Sequence, residues 1–314
     1  MAEVQVEPVT DGLRDRLEDL LANRGGLGEM EPLSPPKAVS DDPAKILLLD
    51  RQGRPAAVLK LSSPAYPDLV HRSSENILRA RDLLGPVLGE ALPTILLRGE
   101  VEGRSFMVLA YGRPFSRSRW GWFLQRVGLS SLVLQWLWEV TAATCRKPAE
   151  DEVERDFREP LRWLASKSGL DGSLREEAKT SLRLLDQGGW GPRYVLAHND
   201  LWRDNLLLRR PTPGEAHRAG GFGRLLIIDW GGARLQGHPF YDLMRLGQSL
   251  GISKRRWRLE IRRHLEVLGT DEAGGRALLL SGLGYLGLHR DHFPMERYLE
   301  CASSCWASWM GLEA

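Results

Sequence analysis

The fold of this chain is decided by two stretches of sequence, HNDLWRDNLLL at residues 198–208 and LLIIDWGGARLQGHPFYDLMRL at residues 225–246. The apolar run YVLA precedes the first stretch, and the run LLII opens the second. Short apolar runs that end in polar residues are typical of buried strands. The pattern therefore predicts that Asp200, Asn205 and Asp229 follow strands and lie at loop positions.

These three residues together suit phosphoryl transfer. That reaction needs a carboxylate to orient the acceptor hydroxyl and oxygen ligands for Mg²⁺, because catalysis is mostly positioning and charge neutralisation. Asp200 and Asn205 can face one site if the loop between them curls around the metal, and Asp229 adds a second acid. A single Asp or Asn in a loop more often forms a turn. The functional interpretation depends on the combination of all three residues with the two apolar runs that precede them.

The spacing H-x-D-x-x-x-x-N followed by I-D-W resembles the aminoglycoside-phosphotransferase and choline-kinase-like branch of the protein-kinase-like superfamily. The similarity covers about residues 30–250, with clear motif identity around residues 195–246. The family usually has Gly after the His, whereas this chain has Asn199. Asparagine tolerates left-handed backbone conformations better than most residues.

The resemblance implies a role for each motif residue. Asp200 is expected to act as the catalytic base or to orient the acceptor hydroxyl, and Asn205 and Asp229 are expected to bind Mg²⁺. His198 is expected to anchor the catalytic loop. Asp242 is expected to be a buried helix acid that hydrogen-bonds the backbone of that loop.

The amino-terminal part reads as strand, strand, helix, strand, strand. KILLLD (45–50) and PAAVLKL (55–61) predict a hairpin around the turn RQGR, and residues 71–84 predict a helix. TILLRGEV (94–101) and RSFMVLAY (104–111) predict two further strands. An amphipathic helix from about Asp11 to Ala22 precedes them all.

This part is expected to bind the nucleotide. Lys60 lies on the second strand, from which its ammonium could reach the α- and β-phosphates, and Glu75 on the helix is predicted to hold that lysine. The adenine is expected against backbone groups from Leu109 to Tyr111. Taken alone, Lys and Glu are usually solvated surface groups, so the assignment depends on the order of the elements.

The loop that covers the phosphates is expected at AVSDDPA, residues 38–44, where Ser40 and backbone amides could meet phosphate oxygens. The chain has no G-x-G-x-x-G before Lys60. Asp41 and Asp42 are unfavourable beside a triphosphate and are expected to point outward. The alternative is that the cover is formed by three glycines upstream, Gly25, Gly26 and Gly28.

The chain is therefore expected to have an α+β, bilobal protein-kinase-like fold. Residues 1–110 would form a small antiparallel-sheet lobe that binds nucleotide, with the opening helix. Residues 111–314 would form a larger, mainly helical lobe for catalysis and acceptor binding, with long helices at about 129–146, 151–167 and 173–187. The Pro- and Gly-rich segment 209–223 reads as a surface insertion in a hairpin.

Composition limits the other possibilities. The 314 residues carry 43 Lys plus Arg against 41 Asp plus Glu, which is too even for a dedicated nucleic-acid or membrane-surface protein. The three cysteines form no metal or disulfide pattern, and we expect a cytoplasmic setting. No stretch is long and apolar enough to predict a membrane span.

The sequence thus predicts ATP and Mg²⁺ as cofactors and a small molecule with a hydroxyl group as acceptor; it does not predict the oligomeric state. The carboxylates of residues 150–159 could attract a polycationic acceptor, or could be a solvated helix face. Two other functions stay open. One is an atypical protein or peptide kinase, although no A-P-E element follows Asp229; the other is a pseudokinase that only binds nucleotide.

Overall fold

The computed structural model describes residues 11–33, 42–116, 118–209, 221–290 and 293–313. The chain divides into two compact units. The first comprises Met1–Arg81, Glu90–Pro114 and Leu207–Gly231, and the second comprises Asp82–Gly89, Phe115–Leu206 and Gly232–Ala314. The break at Pro114 is close to the predicted boundary at residue 110, but a later segment of the chain returns to the first unit.

The first unit is built on a five-stranded sheet. Its strands are β1 (Leu27–Pro32), β2 (Ala44–Asp50), β3 (Pro55–Leu61), β4 (Ile95–Val101) and β5 (Arg104–Ala110). Their order is β1-β2-β3-β5-β4, and each neighbouring pair is antiparallel. The two predicted hairpins are present within a residue or two of the expected bounds.

Strand β1 was not predicted. Its sequence, LGEMEP, contains Gly and Pro, which are depleted in strands. Both have a place here because β1 is an edge strand with an irregular register between Leu27 and Met30. At Gly28 a Cβ atom would lie 2.4 Å from the carbonyl oxygen of Asp50. Only glycine fits that close backbone approach.

One face of the sheet forms the core of the first unit. Helix α1 (Asp11–Leu21) places Leu13, Leu17 and Leu21 in a cluster with Ile46 and Leu48 of β2 and the matching residues of β3 and β5. Because side chains alternate along a strand, the residues between them point to the other face. Lys45, Lys60 and Met107 are register partners on β2, β3 and β5 and share that second face.

Helix α2 (Leu69–Gly89) follows β3, as predicted, but extends beyond residue 84. It is interrupted at Gly85, whose φ of 67° is outside the helical range and favours glycine. The hydroxyls of Ser62 and Ser105, 2.8 Å apart, accept hydrogen bonds from the amides of Val70 and His71. These bonds fix the start of α2 against the sheet.

Three further short strands form a second small sheet, in the order β6-β8-β9. They are β6 (Gly112–Pro114), β8 (Leu206–Arg209) and β9 (Leu225–Ile227). Most of the predicted 209–223 insertion, residues 210–220, lies outside the described residues.

The second unit is mainly helical, which agrees with the prediction. Strand β7 (Val195–Ala197) pairs with β10 (Arg234–Gly237) in an antiparallel ribbon. The helices are α3 (Arg119–Thr144), α4 (Glu150–Val153), α5 (Glu159–Ser166), α6 (Gly172–Asp186), α7 (Tyr241–Leu250), α8 (Lys254–Leu268), α9 (Glu272–Leu288) and α10 (Met295–Glu313). A π-helical turn, Glu154–Arg158, joins α4 to α5.

Helix α5 packs closely on α9. A Cβ atom at Gly284 of α9 would lie 2.2 Å from the carbonyl oxygen of Pro160 in α5, so the contact needs a glycine. Among the helices described, none is both long enough and apolar enough to cross a membrane. The fold class predicted from the sequence, an antiparallel-sheet part followed by a larger helical part, is confirmed.

Candidate active site

The segment after β7 forms a tight loop in the second unit. Asn199 has a φ of 63°, a left-handed conformation that few side chains other than Asn and Asp adopt readily. Its side-chain amide donates to the carbonyl of Gly232 at 2.9 Å. The residue that departs from the family's usual Gly is thus compatible with the turn and also ties the loop to the next segment of the same unit.

A buried carboxylate on α7 anchors this loop. Asp242 accepts hydrogen bonds from the amide of His198 at 2.6 Å and from the amide of Leu201 at 3.4 Å. The ring Nδ1 of His198 accepts from the amide of Asp200 at 3.3 Å. Burial raises the pKa of Asp242, although His198 and the backbone amides oppose that shift. Asp242 and His198 therefore have the positions that the resemblance implies for the support of the loop.

The predicted catalytic pair lies on this loop. The side-chain amide nitrogen of Asn205 is 2.8 Å from the main-chain oxygen of Asp200 and 2.8 Å from its Oδ2. Asn205 is buried, and Asp200 is partly exposed. The curl of the loop that the sequence analysis required is thus present, and it directs the amide of Asn205 to Asp200.

The third member of the predicted set is in the first unit. Asp229 follows β9 and has a φ of 71°, an uncommon value for a residue that is not glycine. The next residue, Trp230, is completely buried and donates its indole N–H to the carbonyl of Ile227 at 2.8 Å. Asn76 of α2 donates to the carbonyl of Trp230 at 2.9 Å. These contacts hold the backbone of Asp229 in its uncommon conformation, as similar contacts do at many functional sites.

Two lysines meet the carboxylate of Asp229. Lys60 Nζ is 3.1 Å from Oδ1, and Lys45 Nζ is 3.7 Å from Oδ2. Lys60 is almost fully buried, while Lys45 has 24% of its side chain exposed and also pairs with Asp42 at 3.3 Å. Lys45 was missed in the sequence analysis because a lysine at the start of a strand usually reads as a solvated end residue. Its register with Lys60 was the available signal.

Glu75 does not hold Lys60, and that prediction needs correction. Its carboxylate is paired with Arg98 of β4, and Arg98 is the largest cause that lowers the pKa of Glu75. The lysine finds its partner in Asp229 instead. Glu75 was chosen from the family pattern, but the arginine at position 98 provides a closer cation.

The other residues predicted to bind the nucleotide differ in how accessible their backbone groups are. Leu109 lies within β5 between β3 and β4, so its backbone N–H and C=O point to a neighbouring strand. Tyr111 lies between β5 and β6, outside both strands, and is the better candidate for a backbone contact with adenine. Ser40 and Asp41 lie outside the described residues.

The glycine alternative for the phosphate cover is wrong. Gly25 and Gly26 have φ values of 98° and 72° and form the turn after α1, where the amide of Gly26 bonds the carbonyl of Leu21. Leu27 pairs with Asp50, at the far end of β2 from Lys45. The glycines therefore end a helix and let β1 approach Asp50.

Some of the carboxylates of residues 150–159 form ion pairs and hydrogen bonds within the second unit. Asp156 is buried, forms a salt bridge with Arg155 at 2.7 Å and accepts a hydrogen bond from the hydroxyl of Tyr194. Glu154 pairs with Arg158 and Arg162. This arrangement supports the structural interpretation of the acidic stretch over an acceptor-binding role.

Asn205 and Asp229 each carry oxygen atoms of the kind that Mg²⁺ prefers. Because Asn205 uses its amide nitrogen for Asp200, its amide oxygen is the atom suited to a hard cation. Asp229 supplies a carboxylate that is about one-third exposed. Mg²⁺ in phosphate-transfer sites is usually held by one or two protein groups together with phosphate oxygens.

Comparison with known proteins places the chain in a fold group. No protein-family model matches it, and no curated protein does. Solved structures do match. The GDP complex of a mutant aminoglycoside 2'-phosphotransferase-IIIa has 16% identity and a TM-score of 0.53, with 96% of this chain and 100% of that chain covered.

Two further solved structures are similarly related. A putative fructosamine-3-kinase from Haemophilus somnus has 13% identity and a TM-score of 0.52, with 93% and 96% of the two chains covered. A choline/ethanolamine kinase family protein from Mesorhizobium loti has 15% identity and a TM-score of 0.52, with 95% and 94% covered. The resemblance inferred from the motifs is confirmed at the level of fold: the chain has the protein-kinase-like fold of the aminoglycoside phosphotransferases, fructosamine kinases and choline kinases.

Proposed function

We propose that this protein is a Mg²⁺-dependent phosphotransferase that moves the γ-phosphoryl group of ATP to a hydroxyl of a small polar molecule. The observation that carries the proposal is the pair formed by Asp200 and Asn205 on a loop whose backbone is bonded to the buried Asp242. In the family that the motif resembles, this loop carries the catalytic groups and such a buried acid supports it.

The groups named in the proposal come from both units. The first unit contributes Lys60 and Asp229, and the second contributes Asp200 and Asn205. Lys60 would bind phosphate oxygens of the nucleotide, and Asn205 and Asp229 would bind the metal. Mg²⁺, when bound, neutralises charge on the phosphates.

Asp200 would serve the acceptor. Its carboxylate accepts a hydrogen bond from the acceptor hydroxyl and receives the proton as the acceptor oxygen bonds to the γ-phosphorus. The bond between that phosphorus and the bridging oxygen breaks, and ADP leaves. Asn205 restrains one oxygen of Asp200, so the carboxylate keeps its orientation during the reaction.

The acceptor is proposed to be an antibiotic, amino alcohol, sugar or amino-acid-like metabolite. The similar solved structures bear the names of aminoglycoside, fructosamine and choline or ethanolamine kinases, which as a group suggest small hydroxyl compounds. One of them is a GDP complex, so GTP deserves a test beside ATP. A cytoplasmic location is part of the same proposal.

The experiment is a two-step screen with purified protein. Thermal shift with Mg-ATP or Mg-GTP and a panel of aminoglycosides, amino alcohols, sugars and homoserine finds ligands that stabilise the folded chain. Nucleoside diphosphate release and mass spectrometry then show whether a ligand gains a phosphoryl group. Asp200→Asn serves as the inactive control.

Three outcomes separate the possibilities. A phosphorylated small molecule supports the proposal, provided that Asp200→Asn does not form it. Stabilisation by nucleotide with no transfer to any acceptor favours a pseudokinase. Phosphate found on polypeptides of an added extract identifies a protein kinase.

A further inference from the structure

The second face of the first unit's sheet carries two cations side by side. Lys45 on β2 and Lys60 on β3 are register partners, so their side chains leave the sheet on the same face. Like charges directly opposite each other destabilise an antiparallel pair. Lys60 is nearly buried and Lys45 is half-buried, so solvent screening is limited. A negative charge near the two lysines is therefore stabilising.

Asp229 supplies such a negative charge. Each of its carboxylate oxygens faces one lysine, at 3.1 Å for Lys60 and 3.7 Å for Lys45. Lys45 thus brings a second positive charge next to the carboxylate of Asp229.

Lys45 also pairs with an acid in the segment that is expected to cover the phosphates. Asp42 lies three residues before Lys45, and its carboxylate is 3.3 Å from Nζ. The ion pair offsets the charge of Asp42. The longer Lys45–Asp229 distance and the greater exposure of Lys45 leave this ammonium better placed than Lys60 to turn to a new anion.

We propose that Lys45 is a second phosphate-binding lysine, which with Lys60 contacts the polyphosphate of the nucleotide. The inference rests on the proposed function for the presence of a nucleotide, and adds that two lysines from adjacent strands recognise its phosphates. Through a contact with the β-phosphate, Lys45 would select ATP and ADP over AMP and adenosine. Asp42 moderates that affinity by competing for the same ammonium.

The test measures binding and needs no acceptor. Calorimetric titration with ATP, ADP, AMP and adenosine in the presence of Mg²⁺ compares wild type with Lys45→Met, Lys45→Arg and the exposed control Lys179→Met. Loss of a charge-assisted contact predicts that Lys45→Met weakens ATP and ADP about tenfold to a hundredfold. AMP and adenosine should bind as to wild type, Lys45→Arg should restore much of the loss, and Lys179→Met should change nothing.

Asp42→Asn provides an independent arm if Lys45→Met fails to fold. Removal of the competing carboxylate should tighten ATP but leave adenosine unchanged, and an unchanged affinity for ATP in Asp42→Asn would count against the inference. Equal binding of ATP and ADP by wild type and Lys45→Met overturns the inference, as does an equal loss for all four ligands, which marks a structural role. If wild type binds no nucleotide, the proposed function fails together with it; if wild type binds ATP and the Lys45 variants do not differ, only the role of Lys45 fails.

Discussion

Asn205 binds Asp200 twice through one amide nitrogen, at 2.8 Å to the main-chain oxygen and 2.8 Å to Oδ2. The first bond closes the loop, and the second orients the carboxylate. One side chain thus sets both the path of the backbone and the direction of the proposed catalytic group. Its amide oxygen is the group that suits a metal, so the proposed metal binding would be coupled to the geometry of the loop through Asn205.

Asp200→Asn should abolish most of the turnover and leave nucleotide binding intact. The amide cannot take the proton of the acceptor, and positioned proton transfer typically contributes about a hundredfold to ten-thousandfold in rate. We expect a fall of that size in kcat and a Kd for Mg-ATP within about twofold of wild type, since Asp200 has no proposed contact with the nucleotide. Asp204→Asn, an exposed neighbour on the same loop, is the matched control. Wild-type kcat in Asp200→Asn would remove Asp200 from the mechanism.

Lys60 and Glu75 should behave differently when each loses its charge. Lys60→Met removes a buried cation beside Asp229 and should weaken Mg-ATP about tenfold or more, because contacts to charged groups contribute about 1.5–3 kcal/mol. Glu75→Gln disturbs only a partly exposed pair with Arg98 and should change the Kd by less than about twofold. Calorimetric titration checks both. A loss of Mg-ATP affinity in Glu75→Gln as large as that in Lys60→Met would favour the Lys60–Glu75 pair that the sequence analysis predicted.

Asp242→Asn should loosen the catalytic loop. An amide at this position faces at least one backbone N–H with its own N–H₂, so a buried donor loses its partner at a cost of about 1–3 kcal/mol. Urea unfolding should show this decrease, and kcat should fall while the Kd for nucleotide stays near wild type. Asp186→Asn, on an exposed pair with Arg158, supplies the stability control. Unchanged stability together with unchanged kcat would contradict the anchoring role.

The second unit should lose stability in mild acid. Burial lowers the pKa of His238 to about 4 and that of His264 to about 4. The unfolded chain, with an ordinary histidine pKa of about 6.5, binds protons first as the pH falls. The free energy of unfolding should therefore be highest above about pH 6.5. It should fall towards pH 4 by on the order of 3 kcal/mol for each histidine.

A histidine variant isolates this effect. His238 donates from Nε2 to the carbonyl of Asp156 at 2.7 Å, so His238→Gln keeps a donor but removes the titration. Urea unfolding between pH 7.5 and pH 4.5 should give a flatter dependence for this variant than for wild type. His71→Gln, at an exposed position, should keep the wild-type slope. Parallel curves for all three proteins would refute the assignment to His238.

The sequence predicted the fold where local pattern determines structure. The hairpin of β2 and β3 follows from two apolar runs and a polar turn, and the catalytic loop follows from polar residues at fixed spacing after a strand. Strand β1 could not be predicted because its pairing with β2, rather than its own composition, makes it a strand. The start of α3 at Arg119, well before the predicted residue 129, was missed for another reason, because two glycines interrupt the apolar pattern.

Pairing between distant side chains was harder to predict than the elements themselves. Whether Lys60 meets Glu75 or Asp229 depends on which face of α2 turns to the sheet, and on the cation that Arg98 places beside Glu75. The role of Lys45 depends on strand register, which a single sequence specifies only loosely. The residues of the catalytic loop and its support Asp242 were identifiable from the motif, whereas the ion-pair partners of Lys60 and Glu75 were not.

The most direct measurement follows the labelled γ-phosphate of ATP. Protein incubated with [γ-³²P]ATP, Mg²⁺ and an acceptor found by thermal shift is separated into nucleotide, small-molecule and polypeptide fractions. We predict Mg²⁺-dependent transfer of label to the small-molecule fraction by wild type, and no transfer by Asp200→Asn or after chelation of the metal. Label on polypeptide alone, or equal transfer by wild type and Asp200→Asn, would contradict the proposed small-molecule phosphotransferase.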